Sequence, residues 1–174
     1  MPKLDKRSVP LTKTEIEEFF IPPFDHLKYR LTMLVSLKER LEAKESISDR
    51  SMVCEFEAAL VASRMFVQFL GLRTEHKPQL RLIEDRSYFT KDGRSDEVKI
   101  ADLGGNFVAI SRDLTVDEAA LLARAHHAAS KATAHLTYNS NHGFKPEELL
   151  VGADLIVRLL KSHLYDRVHR SIRR

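Results

Sequence analysis

One cysteine and no tryptophan in 174 residues, with six glycines and six prolines, already exclude several kinds of protein. The lone Cys54 cannot close an internal disulfide, and a thiolate metal cage needs several cysteines. Long apolar runs are missing as well. Stretches such as Ala58 to Ala62 fall far short of the roughly 20 residues that cross a bilayer, so no transmembrane helix is expected. Met1 to Pro10 is basic, but no apolar segment of signal-peptide type follows it, and the expected location is the cytoplasm. A large net charge is also lacking: 28 basic and 25 acidic residues leave +3, and 43% of the chain is hydrophobic, which excludes a disordered polymer. What remains is a single globular domain over residues 1–174, long enough to bury a sizeable core.

The small net charge hides an asymmetry. Lys3, Lys6, Arg7 and Lys13 stand against Asp5 at one end. At the other, Arg158, Lys161, Arg167, Arg170, Arg173 and Arg174 stand against Asp166, so the body between the two ends is acidic. A basic C-terminal segment on an acidic body points to an anionic partner such as RNA or another polyanion. The plainer reading is a solvated helix end whose arginines favour the negative pole of the helix dipole.

Helical periodicity appears in four places. After an N-terminal arm (1–23) that includes a short segment from Thr14 to Phe20, the stretch Phe24 to Glu45 repeats Leu27, Leu31, Leu34, Val35, Leu37 and Leu41. Ser48 or Asp49 can cap a second helix that runs to a stop at Gly71. Its half from Ala58 onward has only Ser63, Arg64 and Gln68 as polar side chains and is expected to be the most buried helix. Residues 73–113 break the pattern and read as an irregular insertion, with a short helix near Gln79 to Arg86 and a small hairpin at Asp92-Gly93. Thr115 and Glu118 form a capping box for a third helix reaching about Leu136. Pro146, Glu147 and Glu148 open a fourth, whose stripe Leu149, Ala153, Ile156, Leu160, Leu164, Val168 and Ile172 extends to the C-terminus. The expected fold class is all-α: an antiparallel bundle of four main helices with an irregular insertion between the second and third.

Phosphate-loop and dinucleotide signatures are absent, since Gly104-Gly105 alone makes neither. No Gly-x-Ser-x-Gly elbow occurs, and Cys54, in a helix body without an activating base, reads as a packing residue. Arg124, His127, Lys131, His135 and Tyr138 recur at steps of three or four and share one helix face, which could meet phosphates or simply water. His126, His127 and His135 lack the i, i+4 spacing of a helical metal pair, so no metal and no other cofactor is expected. Glu57 and Arg64 share a face of the apolar second helix, either as a register-fixing ion pair or with Arg64 aimed at an anion.

The segment Arg158-Leu159-Leu160-Lys161-Ser162-His163 sets an Arg and a His five residues apart. Together with Glu57 to Gly71 and Ala134 to Thr137, it resembles the HEPN superfamily (higher eukaryotes and prokaryotes nucleotide-binding domains) over roughly residues 24–172. Members are small helical bundles whose ribonucleases carry an Arg, four to six residues, then a His. The resemblance implies a homodimer that binds RNA and, if active, a metal-independent endoribonuclease in which His163 moves protons and Arg158 holds phosphate. Family ribonucleases often have a polar residue soon after the Arg, where this chain has Leu159 and Leu160. On an unbroken α-helix five residues also rotate two side chains about 140° apart. Convergence of Arg158 and His163 therefore needs a bend or a second protomer. Arg124, His127, Lys131, His135, Arg167 and Arg170 are the expected nucleic-acid contacts. The alternative is a non-catalytic helical module that engages a protein partner.

Overall fold

The computed structural model describes residues 26–43, 45, 49–85, 98–134 and 144–167, together with Thr14. Among them are five α-helices: α1 (His26–Glu42), α2 (Asp49–Phe69), α3 (Ile110–Asp113), α4 (Val116–Ala134) and α5 (Pro146–Leu160). A two-stranded sheet, β1 (Leu72–Glu75) and β2 (Arg81–Glu84), and a 3-10 turn at Ile100–Leu103 lie within the insertion. The protein is mostly helical, and no helix among the described residues is long and apolar enough to cross a membrane.

Helix α2 occupies the middle. It packs against α1, α4, α5 and β1, with its most extensive contacts on α1 and α4. Its apolar half behaves as its composition predicts: Ala59, Leu60, Ala62, Phe66, Val67, Phe69 and Leu70 are all buried. The first half is different. Cys54 is exposed, not packed as expected, because it lies with Val53 and Glu57 on the outer face of α2, away from Met52 and Phe56, which pack against the core. One apolar cluster joins Leu34, Phe66, Ile100, Leu122 and Ile156, and a second joins Leu37, Leu60, Ala125, Ala129, Phe144 and Leu149. Surface ion pairs assist this packing, with Arg40 of α1 meeting Glu55 of α2 and Lys38 of α1 3.3 Å from Asp154 of α5.

The two expected helix starts are realised. Thr115 N donates to Glu118 Oε2 at 2.9 Å, and Glu118 N donates to Thr115 Oγ1 at 3.2 Å, the reciprocal pair of a capping box. Pro146 stands in the first turn of α5, and Lys145 N donates to Glu148 Oε2 at 3.1 Å. Leu149, Ala153, Ile156, Leu160 and Leu164 of the C-terminal stripe are buried inside the chain's own core. Val168 and Ile172, residues 15–20 of the N-terminal arm, Ser48 and the Asp92-Gly93 hairpin lie outside the described residues.

The insertion departs from expectation. The short helix expected near Gln79 to Arg86 is strand β2, paired antiparallel to β1 with Thr74 opposite Leu82 and Glu75 opposite Arg81. A segment as short as Leu80 to Ile83 suits either element. Strand geometry wins because it buries Leu82 on the same side as Leu72 while Arg81 pairs across the sheet with Glu75, Nε to Oε2 2.9 Å. The hairpin leans on α4. Helix α2 stops at Gly71, whose φ of 81° lies in the left-handed region, and two chain ends are tied there: Asp85 N donates to Gly71 O and Val108 N to Leu70 O. A Cβ at Gly71 would sit 2.2 Å from the Phe107 ring. Gly71→Ala should therefore lower the unfolding free energy by about 1–3 kcal/mol through backbone strain and overpacking, read by urea denaturation.

Candidate functional site

Arg158 and His163 each approach the same residue, Asp113, within one chain. Past Leu160 the last helix widens into a π turn, Lys161–Tyr165, in which Asp166 N reaches back five residues to Lys161 O. His163 lies inside that wider turn, buried, while Arg158 stands exposed on the α-helix before it. Both side chains reach Asp113 at the end of α3. Arg158 Nη2 lies 3.5 Å from the Asp113 carbonyl oxygen, and His163 Nε2 lies 3.4 Å from Asp113 Oδ2.

The turn is held by a contact across the chain. The His163 carbonyl accepts from Asn106 N at 3.0 Å, while His163 Nδ1 lies 3.2 Å from Asn106 O. A carbonyl only accepts, so Nδ1 carries a hydrogen and Nε2 is the nitrogen turned to the Asp113 carboxylate. Gly105 makes this approach possible: a Cβ there would stand 2.8 Å from the His163 carbonyl oxygen and 2.6 Å from Ile100 Cγ1. His163 is 8% exposed, and both of its ring nitrogens face oxygens of the same chain.

Asp113 is the centre of the arrangement. Arg112 Nε and Nη2 donate to Oδ1 and Oδ2 at 2.8 and 2.9 Å, and Ala109 N donates to Oδ2 at 2.8 Å. The Arg112 hydrogen bonds hold the carboxyl below the ordinary carboxylate range, with help from the Ala109 N–H and the His163 charge and against the effect of burial. Arg158 is exposed and pairs with Glu118 at 3.0 Å. Glu118 is held low in pKa first by the Thr115 backbone N–H and then by Arg158. The corner thus carries Arg112 and Arg158 as exposed cations above a buried histidine. Asp113 and Asn106 carried no sequence signal, because they meet His163 only through tertiary contact, and Arg112 joins them through Asp113.

The face expected on the third long helix is divided. Arg124 is exposed and pairs with Glu148 of α5, Nη2 to Oε1 2.6 Å. His127 is half-buried, with its ring edge-on to His76 at 4.5 Å between centroids, and Lys131 is half-buried. Arg167 is exposed, whereas His135, Tyr138, Arg170, Arg173 and Arg174 lie outside the described residues. On α2, Glu57 is exposed, and Arg64 is half-buried near His126.

His126, unassigned by sequence spacing, is the most perturbed titrating group described. It is 7% exposed, its Nδ1 lies 3.0 Å from Thr74 Oγ1, and its Nε2 has no hydrogen-bond partner among the described residues. Burial first, then the charges of Arg64, His127 and His76, lower its pKa to about 4.

Comparison with known proteins finds no family model, no curated protein and no solved structure that matches this chain.

The His126 environment fixes a pH dependence. Unfolded histidine titrates near 6.5, so the unfolded chain takes up the proton first as the pH falls. The stability contribution of a neutral His126 is complete above about pH 6.5 and is lost progressively toward the folded value of about 4. The gap corresponds to about 3 kcal/mol over the whole window. The lowered Asp113 carboxyl acts in a separate window, since its contribution persists above the unfolded carboxylate value and disappears only as the pH falls through its own lower one. Urea midpoints measured between pH 7 and 4.5 should fall steeply in the wild type and less steeply in His126→Gln.

Proposed function

We propose that the chain is a HEPN-like antiparallel bundle of four main helices that binds RNA or another polyanion as a cytoplasmic homodimer. The observation that carries this reading is that Arg158 and His163, five residues apart and on either side of the start of a π turn, both approach one residue, Asp113. In this reading Arg158 and Arg112 at the corner, with Arg124, Lys131 and Arg167, meet phosphates, and an incoming phosphate exchanges with Glu118 and Glu148 as the arginines' partner. His163 is a positioning residue, because its Nδ1 and Nε2 face the Asn106 carbonyl and the Asp113 carboxylate instead of open solvent.

A second reading rests on the same convergence. If the imidazole leaves Asp113 when RNA binds, His163 becomes available for proton transfer beside a phosphate held by Arg158, and the protein is a metal-independent endoribonuclease. No cofactor enters either version.

Fluorescence anisotropy with a labelled single-stranded RNA, run over a salt series in a chelator, separates the readings. For a binder, wild type binds without cutting, and the double variant Arg158→Gln, Arg167→Gln weakens binding about tenfold and reduces the salt slope by about one to two. For a nuclease, wild type cuts in the chelator and His163→Gln abolishes cutting while binding persists. Wild-type protein that neither binds nor cuts at low salt removes both and leaves the protein-interaction module.

A further inference from the structure

The β1–β2 hairpin is fastened to the helices in two different ways. At its base, Asp85 N donates to Gly71 O at 2.8 Å and Ile110 N donates to Glu84 Oε1 at 3.2 Å, which ties the strand ends to the end of α2 and the start of α3. Toward its tip the hairpin lies on α4, where two of its contacts are made by histidines. Thr74 Oγ1 lies 3.0 Å from Nδ1 of His126, and the His76 ring stands edge-on to His127. Leu82, which faces Thr74 across the ladder, is buried. A two-stranded ribbon is marginal on its own, so the tip keeps its place through what it touches on α4.

The seat of His126 suits a neutral imidazole and not a protonated one. A neutral ring donates at one nitrogen and accepts at the other, whereas the protonated ring donates at both. Thr74 meets Nδ1, but Nε2 is buried without a hydrogen-bond partner among the described residues. A proton at Nε2 would therefore leave a buried charged donor with no described acceptor. The charged and titratable groups that act on this ring are Arg64 of α2, His127 of α4 itself and His76 of the hairpin, and all three are basic. Glu75, the next residue along β1, lies on the other side of the strand and pairs with Arg81, Nε to Oε2 2.9 Å. Glu84 is engaged at the hairpin base by Ile110 N.

We propose that the hairpin tip, residues 74–82, is a latch that acid opens: protonation of His126 breaks its seat against Thr74 and lifts the tip off α4 while the hairpin base and the helices stay in place. Burial of Leu82 keeps the latch shut as long as the ring is neutral. Once the tip lifts, water reaches both ring nitrogens, so the open form binds the proton more tightly than the closed one. The open population then grows as the pH falls. A ring that titrates at about 4 when seated and near 6.5 when solvated raises the opening equilibrium constant about thirtyfold between pH 7.5 and pH 5.

Amide hydrogen exchange of the full chain, read by mass spectrometry and corrected for intrinsic rates, tests the latch. At pH 7.5 the amides of residues 74–82 should exchange at least about tenfold faster than those of residues 59–70 of α2, and with a shallower dependence on urea, the mark of an opening smaller than global unfolding. Between pH 7.5 and pH 5 the corrected rate at the tip should rise about thirtyfold in the wild type and less than about threefold in His126→Gln. Circular dichroism melts establish that His126→Gln folds; should it fail to, His126→Met takes its place, filling the seat without a titrating group. Equal protection and equal urea dependence of the two segments would overturn the proposal, because the tip would then open only with the whole fold. So would a wild-type tip whose corrected rate is flat with pH, or a folded His126 variant that keeps the wild-type rise.

Discussion

Burial of the second half of α2 is the constraint from which the rest of the molecule follows. A helix with apolar or small side chains at Ala59, Leu60, Ala62, Phe66, Val67, Phe69 and Leu70 cannot leave that face in water. Helices α1, α4 and α5 each supply an apolar stripe against it, and β1 continues from its end. At about 25 cal/mol per Å² of apolar surface removed from water, this burial dominates any surface ion pair, since exposed pairs contribute about 1 kcal/mol or less. The pairs Lys38 with Asp154 and Arg124 with Glu148 therefore refine the placement of helices already held by the core.

Within that frame the C-terminal corner is built by exchanging one kind of hydrogen bond for another. The π turn gives up regular helical pairing, and the Asn106 backbone takes over the His163 carbonyl. The same residue faces the imidazole, so backbone and side chain of His163 are both fixed by Asn106. Asp113 then gathers Arg112, the Ala109 N–H and His163. A carboxylate so supplied with donors keeps its charge without help from solvent, which is what allows a basic and an acidic group to share a nearly buried corner.

The helices were legible because their signals are local. The box at Thr115 and Glu118, Pro146 ahead of Glu148, and Gly71 after an apolar run each act within one turn of the helix end they define. The corner was half legible. Arg158 and His163 are visible as a pair, but His163 is held by Asn106, 57 residues away, and no local pattern reports a partner so distant. Strand β2 was misread for a related reason: four residues with Leu82 facing inward carry too little period to separate strand from helix until Leu72 is beside them. Cys54 was misplaced because helical membership says nothing about which part of a helix is covered.

The tie points at the end of α2 have a further consequence for how the fold tolerates change. Asp85 and Val108 attach to neighbouring peptide units, Gly71 and Leu70, so two positions distant in sequence are fastened at nearly one spot. Ile100 and Leu103 are buried in the same core between these attachments. The end of α2 is therefore a hub, and a backbone shift at this one point reaches both the hairpin and the start of α3 at once.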